Sequence, residues 1–389
     1  MENKKITIGI FVDSYFPMID GVVMVVHNYA KRLADKANVI VFAPRFGKPF
    51  DDSKFAFKVV RSKSFQIPFI DYRAPLPKMD KQFQKELKES NLDIVHIHSG
   101  FAIGNQGAEY AREHNIPVIA TLHSQHKRDI LERTHSKLIT KVIMGSLIKV
   151  LSKTDKCFAV NEKMADLYVE YGLKNKPGVL TNATELKLCE DFDKIASLKE
   201  KHQIKDEKIL IFVGRIDKTK NIHFTVEVLR KLKELKFNYR MLIIGGGPYM
   251  KKLVKQIKKY ELEEYVILTG RIYEREDIAA YYRMANLMIF PSTYDASSLV
   301  QIEAASQKTP TIFAKNSITS STITPDVNGY EAELDVDIFA RKIISVLEDN
   351  KKHLEVAQNA YDQIYTHWDK KVEDIYDFYL ELIEEKKRS

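Results

Sequence analysis

The chain has 389 residues, 61 Lys and Arg against 53 Asp and Glu, a formal net charge of +8 and 44% hydrophobic residues. That length predicts two domains, each with its own core, and that composition excludes a disordered chain. No apolar run approaches the roughly 20 residues of a membrane helix, and Cys157 and Cys189 are too few for a disulfide framework or a cysteine-based metal site.

The positive balance leaves anionic small molecules and anionic membrane as partners, whereas no zinc-finger spacing, aromatic RNA motif or basic tail points to nucleic acid. Met1-Glu-Asn-Lys-Lys5 leads directly into a strand rather than a signal sequence. The cytosol is therefore the expected compartment, and the Asn182-Ala-Thr184 sequon is expected to carry no glycan.

In chain order, Lys5 to Val12 is a β-branched run that reads as a central strand buried on both faces. A polar loop ending at Gly21 follows, then a helix from Val22 to Leu33, which opens a βαβ unit. Further strands are predicted at 38–43, 93–98, 117–122 and 156–160, most of them separated by helices, so the sheet is expected to be parallel and doubly wound. His96 and His98 share one side of their strand. With His123 and His126 they could form a zinc cluster, a reading disfavoured because no acidic or Cys ligand accompanies them, and His96 also reads as a satisfied core imidazole. Phe65 to Pro77 is rich in proline and aromatics and reads as a binding loop. Residues 126–153 carry seven Lys or Arg against two acidic residues, with apolar residues at helical spacing. One amphipathic helix is expected there, lying on anionic lipid or packing into its own domain.

Residues 185–207 are polar and read as the connection between domains. Asp191-Phe-Asp193 and Asp335-Val-Asp337 resemble a metal motif, but both sit where helices start and read as caps. The strand from Lys208 delivers Gly214-Arg215 at its carboxyl end, with Lys220 at the next helix start. Arg offers a planar fork for phosphate oxygens and Lys a point charge. Arg240 to Pro248 is a strand running into Gly245-Gly-Gly247, without the spacing of a dinucleotide fingerprint. After Leu287 to Phe290, a turn leads into a helix whose first amides, around Ser297, Ser298 and Leu299, form a phosphate-binding end. Asp295 precedes this end and Glu303 lies about two turns along. Two carboxylates around such an end suit a ligand that also carries hydroxyls.

Gly214-Arg215-x4-Lys220 together with Asp295-x7-Glu303 resembles the diphosphate clamp and acid-x7-Glu motif of family-four glycosyltransferases. That resemblance implies the α/β GT-B fold, with two Rossmann-like, doubly wound parallel-sheet domains facing a cleft. Residues 1–184 would form the acceptor domain and 185–368 the nucleotide-sugar domain, with a final helix, 369–389, crossing back from Trp368. It further implies that Arg215, Lys220 and the amides of Ser297, Ser298 and Leu299 hold the diphosphate. Asp295 would meet the sugar hydroxyls and Glu303 the ribose. Gly21 would lie over the phosphates, Gly245 and Gly247 on the nucleotide side, and Arg271 and Ile272 at the base. His123 would lie beside the transferred sugar and the acceptor. The first acid is Glu in most of the family, and Asp295 is shorter by roughly 1.5 Å. Ala-Ser-Ser replaces a glycine-rich tripeptide, which leaves donor choice open. The match is weakest over 45–90 and 126–155.

The expected activity is retaining transfer of a hexose from a nucleotide diphosphate sugar, a UDP-sugar by family frequency, to a membrane lipid or cell-surface glycan precursor. No metal cofactor is expected. A non-catalytic sugar-nucleotide-binding subunit and a GT-B phosphorylase or epimerase are the alternatives. Peripheral contact with anionic membrane is expected through 126–153, at the inner face of the plasma membrane.

Overall fold

The computed structural model describes residues 5–47, 49–67 and 73–388. Two compact units emerge: Met1–Asn182 together with Trp368–Ser389, and Ala183–His367.

In the first unit, seven parallel strands stand in the order β3-β2-β1-β6-β7-β8-β9. They are β1 (Thr7–Phe11), β2 (Asn38–Pro44), β3 (Lys58–Ser62), β6 (Ile94–Ile97), β7 (Val118–Leu122), β8 (Lys156–Ala159) and β9 (Gly178–Val179); β4 (Ser64–Gln66) and β5 (Arg73–Pro75) form a separate antiparallel hairpin. Helices α1 (Gly21–Leu33), α2 (Lys81–Lys88), α3 (Ala102–Glu113), α4 (His126–Thr134), α5 (Lys137–Leu151) and α6 (Glu162–Glu170) complete the crossovers. Buried on both faces, β1 contributes Ile8, Ile10 and Phe11 to the core, all fully enclosed. Strand order reverses between β1 and β6, and the loops after these strands meet at that switch point, where open parallel sheets bind ligands. The helix Trp368–Arg388 packs on the same unit. Trp368 meets the Tyr29 ring at 5.1 Å, and Arg32 pairs with Asp369 at 2.8 Å.

The second unit holds six parallel strands in the order β12-β11-β10-β13-β14-β15. These are β10 (Lys208–Val213), β11 (Tyr239–Ile244), β12 (Val266–Gly270), β13 (Leu287–Phe290), β14 (Thr311–Ala314) and β15 (Tyr330–Ala332). Helices α7 (Phe192–Lys201), α8 (Ile222–Glu234), α9 (Met250–Lys259), α10 (Arg275–Met284), α11 (Leu299–Ser306), α12 (Val336–Glu348) and α13 (Asn350–Ile364) surround them. The period of two divides β10 between two cores: Leu210 and Phe212 join the one under α8 and α12, Ile209, Ile211 and Val213 the one under α10. Here the switch point lies between β10 and β13.

Three expectations are corrected. Residues 126–153 form two helices rather than one, because His135 is left-handed (φ 49°) and Ser136 caps α5 by accepting from the Ile139 amide. Between 45 and 90, β3 adds an edge strand and the predicted Phe65–Pro77 loop contributes to a hairpin, while residues 68–72 of that loop lie outside the described residues. Lys220 ends a 3-10 turn ahead of α8 rather than opening that helix. Asp191 and Asp335 are caps, accepting from the Lys194 and Ile338 amides.

Candidate functional site

The second unit gathers Gly214, Arg215, Lys220 and Asp295 at its switch point. Gly214 leaves β10 with φ +148°, and the chain then turns through Arg215, whose side chain is 65% exposed with Asp217 3.5 Å away. Asp217 caps the 3-10 turn and holds Lys220 in place through the Thr219 and Lys220 amides. Lys220 Nζ donates to Asp295 Oδ1, which ties the turn after β10 to the loop after β13. Two further bonds lace these loops: Asn221 Nδ2 donates to the Pro291 carbonyl at 3.3 Å, and Ser292 Oγ to the Thr219 carbonyl at 3.2 Å. Asp295 Oδ2 is buried with no partner among the described residues. An unsatisfied buried polar atom costs about 1–3 kcal/mol, so this oxygen is a poor element of a resting core and a good receptor for a hydroxyl.

Ser298 is 3% exposed and caps α11, its Oγ accepting from the Gln301 amide at 3.2 Å. Ser297 and Ser298 thus lead into α11, with Leu299 its first residue, at the helix end where backbone amides lack intrahelical partners. Two turns on, Glu303 receives Arg275 Nη2 on Oε1 at 2.9 Å and the Tyr282 hydroxyl on Oε2 at 3.0 Å. Each oxygen keeps a lone pair, and the carboxylate plane is fixed by two donors. Burial pushes the Tyr282 phenol well above its ordinary pKa, so it stays a donor. Sequence reading missed both partners, which stand 28 and 21 residues before Glu303 with no local pattern to mark them.

The glycines have a structural cause. A Cβ on Gly245 would meet the Gly214 carbonyl oxygen at 1.9 Å, and one on Gly247 the Ile216 carbonyl oxygen at 2.3 Å. Backbone closeness between the turns after β10 and β11 therefore accounts for Gly245 and Gly247 without a ligand. Arg271 lies against Gly246, and Ile272 packs on the core beneath α10 while lining an open cavity with Lys194, His202 and Tyr281.

In the first unit a cavity of ≈ 340 Å³ opens beside the ends of β1, β6 and β7, lined among others by Asp13, Ser14, His98, Phe101, His126 and Arg133. Asp13 caps α3: Oδ1 accepts from the Ile103 amide at 2.7 Å, and Oδ2 from Ser99 Oγ at 2.8 Å and the Phe101 amide at 3.2 Å. Burial nevertheless pushes its pKa up to about 6, the hydrogen bonds opposing that rise. Gly21 opens α1 after the Asp20 cap, and Asp20 and Val22 line the same cavity. Among the histidines, His96 spends Nδ1 on the Tyr379 hydroxyl (2.6 Å) and Nε2 on Thr121 Oγ1 (2.8 Å). That saturation corrects the zinc reading for His96, and among the described residues no three His, Cys, Asp or Glu side chains are grouped to hold a metal. His123 Nε2 lies 2.9 Å from His98 Nδ1. Burial holds His96 and His123 down at about 3 and His126 at about 4, with His98 also far below the usual imidazole value. All four are neutral at pH 7.

Residues 194–363 match the family "Glycosyl transferases group 1", and residues 19–187 match "Glycosyltransferase Family 4". The chain belongs to the family-four glycosyltransferases. Similar relatives of this glycosyltransferase include the alpha-monoglucosyldiacylglycerol synthase of Streptococcus pneumoniae, 26% identical over 97% of this chain and 86% of the relative. Another is the N-acetyl-alpha-D-glucosaminyl L-malate synthase of Bacillus anthracis, 25% identical over 93% of this chain and 92% of that one. Among solved structures, the Anabaena protein HepE in complex with UDP superposes with a TM-score of 0.75 at 16% identity, over 96% of this chain and 99% of that one. The glycosyltransferase thus has the GT-B architecture of two Rossmann-like parallel-sheet domains.

Proposed function

We propose that this glycosyltransferase moves a hexose, with retention, from a UDP-sugar to a hydroxyl of a membrane lipid or cell-surface glycan precursor. The lipid is the first acceptor to test, because relatives named as glucosyldiacylglycerol synthases align over most of the chain. One observation carries the reading: exposed Arg215 and the paired Lys220 and Asp295 share one switch point, and a carboxylate oxygen there is buried without a partner among the described residues.

The chemistry follows from where charge develops. Breaking the bond from the anomeric carbon to the β-phosphate oxygen leaves negative charge on the nucleoside diphosphate. Arg215, Lys220 and the amides at the start of α11 stabilise it, the task a divalent ion performs elsewhere, so no metal is required. Asp295 Oδ2 accepts a sugar hydroxyl and Glu303 the ribose hydroxyls. The acceptor oxygen bonds to the anomeric carbon on the face the phosphate leaves, and the acceptor proton passes to a β-phosphate oxygen.

Membrane contact belongs to the same reading. On α5, Met144, Leu147 and Leu151 are buried, whereas Leu138 (72% exposed), Val142 (66%) and Ile139 (48%) face outward near Lys137 and Lys141. Apolar side chains flanked by cations suit an anionic bilayer surface. Among the described residues no helix is long and apolar enough to cross a membrane.

The test is glucosyl transfer from UDP-glucose to dioleoylglycerol in phosphatidylglycerol vesicles. Activity is expected to persist in EDTA, the product to be the α-anomer, and Arg215→Ala or Lys220→Ala to lower kcat/KM by about a hundredfold or more. Turnover lost in EDTA and restored by magnesium, or unchanged in both variants, rejects the mechanism.

A further inference from the structure

His98 lies in the first unit, at the end of β6, with one ring nitrogen left over from its hydrogen bonding. β6 and β7 end side by side, and the residues just past them, His98 and His123, stack with ring planes 16° apart and centroids at 5.2 Å. His98 Nδ1 lies 2.9 Å from His123 Nε2, a hydrogen bond between the two rings. His98 is 2% exposed and lines the ≈ 340 Å³ cavity, and its remaining nitrogen, Nε2, is buried with no partner among the described residues. The neighbouring rings do not supply one: His96 is saturated by Tyr379 and Thr121, and Tyr29 meets His98 through its ring at 5.6 Å.

Because burial keeps both imidazoles neutral, each carries one proton, and a hydrogen bond between them admits one proton in the gap. Two arrangements satisfy this. With the proton on His98 Nδ1, His123 is protonated on Nδ1 and His98 Nε2 is a bare acceptor. With the proton on His123 Nε2, His98 is protonated on Nε2 and His123 Nδ1 is the bare acceptor. Mixed arrangements place two N–H groups or two lone pairs face to face. The rings therefore always carry their protons on like-named nitrogens, and what binds one end dictates the other.

We propose that His98 is a positioning residue for the acceptor: its Nε2–H donates to the acceptor hydroxyl oxygen, and the shared bond thereby fixes the proton of His123 on Nε2 as well. This rests on the transfer reading above, in which the acceptor proton goes to the departing phosphate and leaves its oxygen lone pair for His98. Acceptor binding at one ring thus sets the tautomer of both through one proton.

The test begins with wild-type protein labelled with 15N in its histidine rings, whose two-bond proton–nitrogen spectra at pH 7.5 report the tautomers, with His98→Asn and His123→Asn for assignment. Like tautomers are expected at His98 and His123; unlike tautomers, or a charged ring, overturn the coupling. With UDP and dioleoylglycerol vesicles both rings should settle on Nε2–H, and Nδ1–H in that complex overturns the assigned direction. In transfer assays His98→Asn should raise the acceptor KM about tenfold while the UDP dissociation constant stays within twofold. An unchanged acceptor KM, or a loss confined to kcat, overturns the positioning role. Should wild-type protein transfer nothing from UDP-glucose to dioleoylglycerol, the donor and acceptor assignment fails instead, and the vesicle-free spectra still decide the pair. They also decide it should His98→Asn fail to fold.

Discussion

Asp13 shows how one side chain serves two demands at the switch point of the first unit. Its oxygens close the start of α3, yet enclosure raises its pKa to about 6 from an ordinary 3.8. The folded state therefore holds the proton more tightly than the unfolded chain, and this contribution to stability is full below pH 3.8 and lost as pH rises through 6. Asp13→Asn removes the titration. We expect the unfolding free energy of wild type relative to Asp13→Asn to fall by up to about 3 kcal/mol between pH 4 and pH 7, measured by urea denaturation. A difference that is flat, or that grows with pH, contradicts the assignment. Lys220 and Asp295 make a similar point for the second unit, since each could be singled out in the sequence but their mutual bond could not. The two are 75 residues apart, and no local pattern announces such a pairing.

At the scale of elements, the break between α4 and α5 is the most informative departure. A run of cations and apolar residues reads as one helix until His135 takes the left-handed conformation and Ser136 starts a new one. Restarting the helix gives α5 an independent direction, with one apolar stripe turned inward and a second, Leu138 and Val142, turned out. Leu138→Glu with Val142→Glu should abolish flotation with phosphatidylglycerol vesicles while leaving the melting temperature within about 2 °C, because little packing is lost at such exposed positions. Binding that survives the double substitution rejects α5 as the membrane contact. The capping residues were readable in advance: Asp191 and Asp335 begin helices, as Asp commonly does.

For the molecule as a whole, the chain returns to its first unit through the helix Trp368–Arg388. Its Tyr379 is fully buried and holds His96 across 283 residues of sequence. Tyr379→Phe leaves His96 Nδ1 without a partner in the core, and we expect a loss of about 1–3 kcal/mol in denaturant unfolding. The loss should appear in the transition of the first unit and spare that of the second. Equal destabilisation of both transitions argues against this assignment. The neutral histidines around it add a pH term of the opposite sign to Asp13. Their pKa values are depressed on folding, so their contribution is present above pH 6.5 and is lost as pH falls toward about 3.

The sequence by itself determined the parallel α/β class, both switch-point loops and the positions of Arg215, Lys220, Asp295 and Glu303. These follow from short-range signals: β-branched runs, turn glycines, caps and motif spacing, all set by neighbours within a few residues. Only the tertiary structure decided that Asp295 holds Lys220, that Arg275 and Tyr282 orient Glu303, and that His98 meets His123. It also showed Gly245 and Gly247 to be required by the backbone beside them. Such partners lie on different strands and helices, and side chains far apart in sequence meet only when the sheet order and packing bring their loops to one edge.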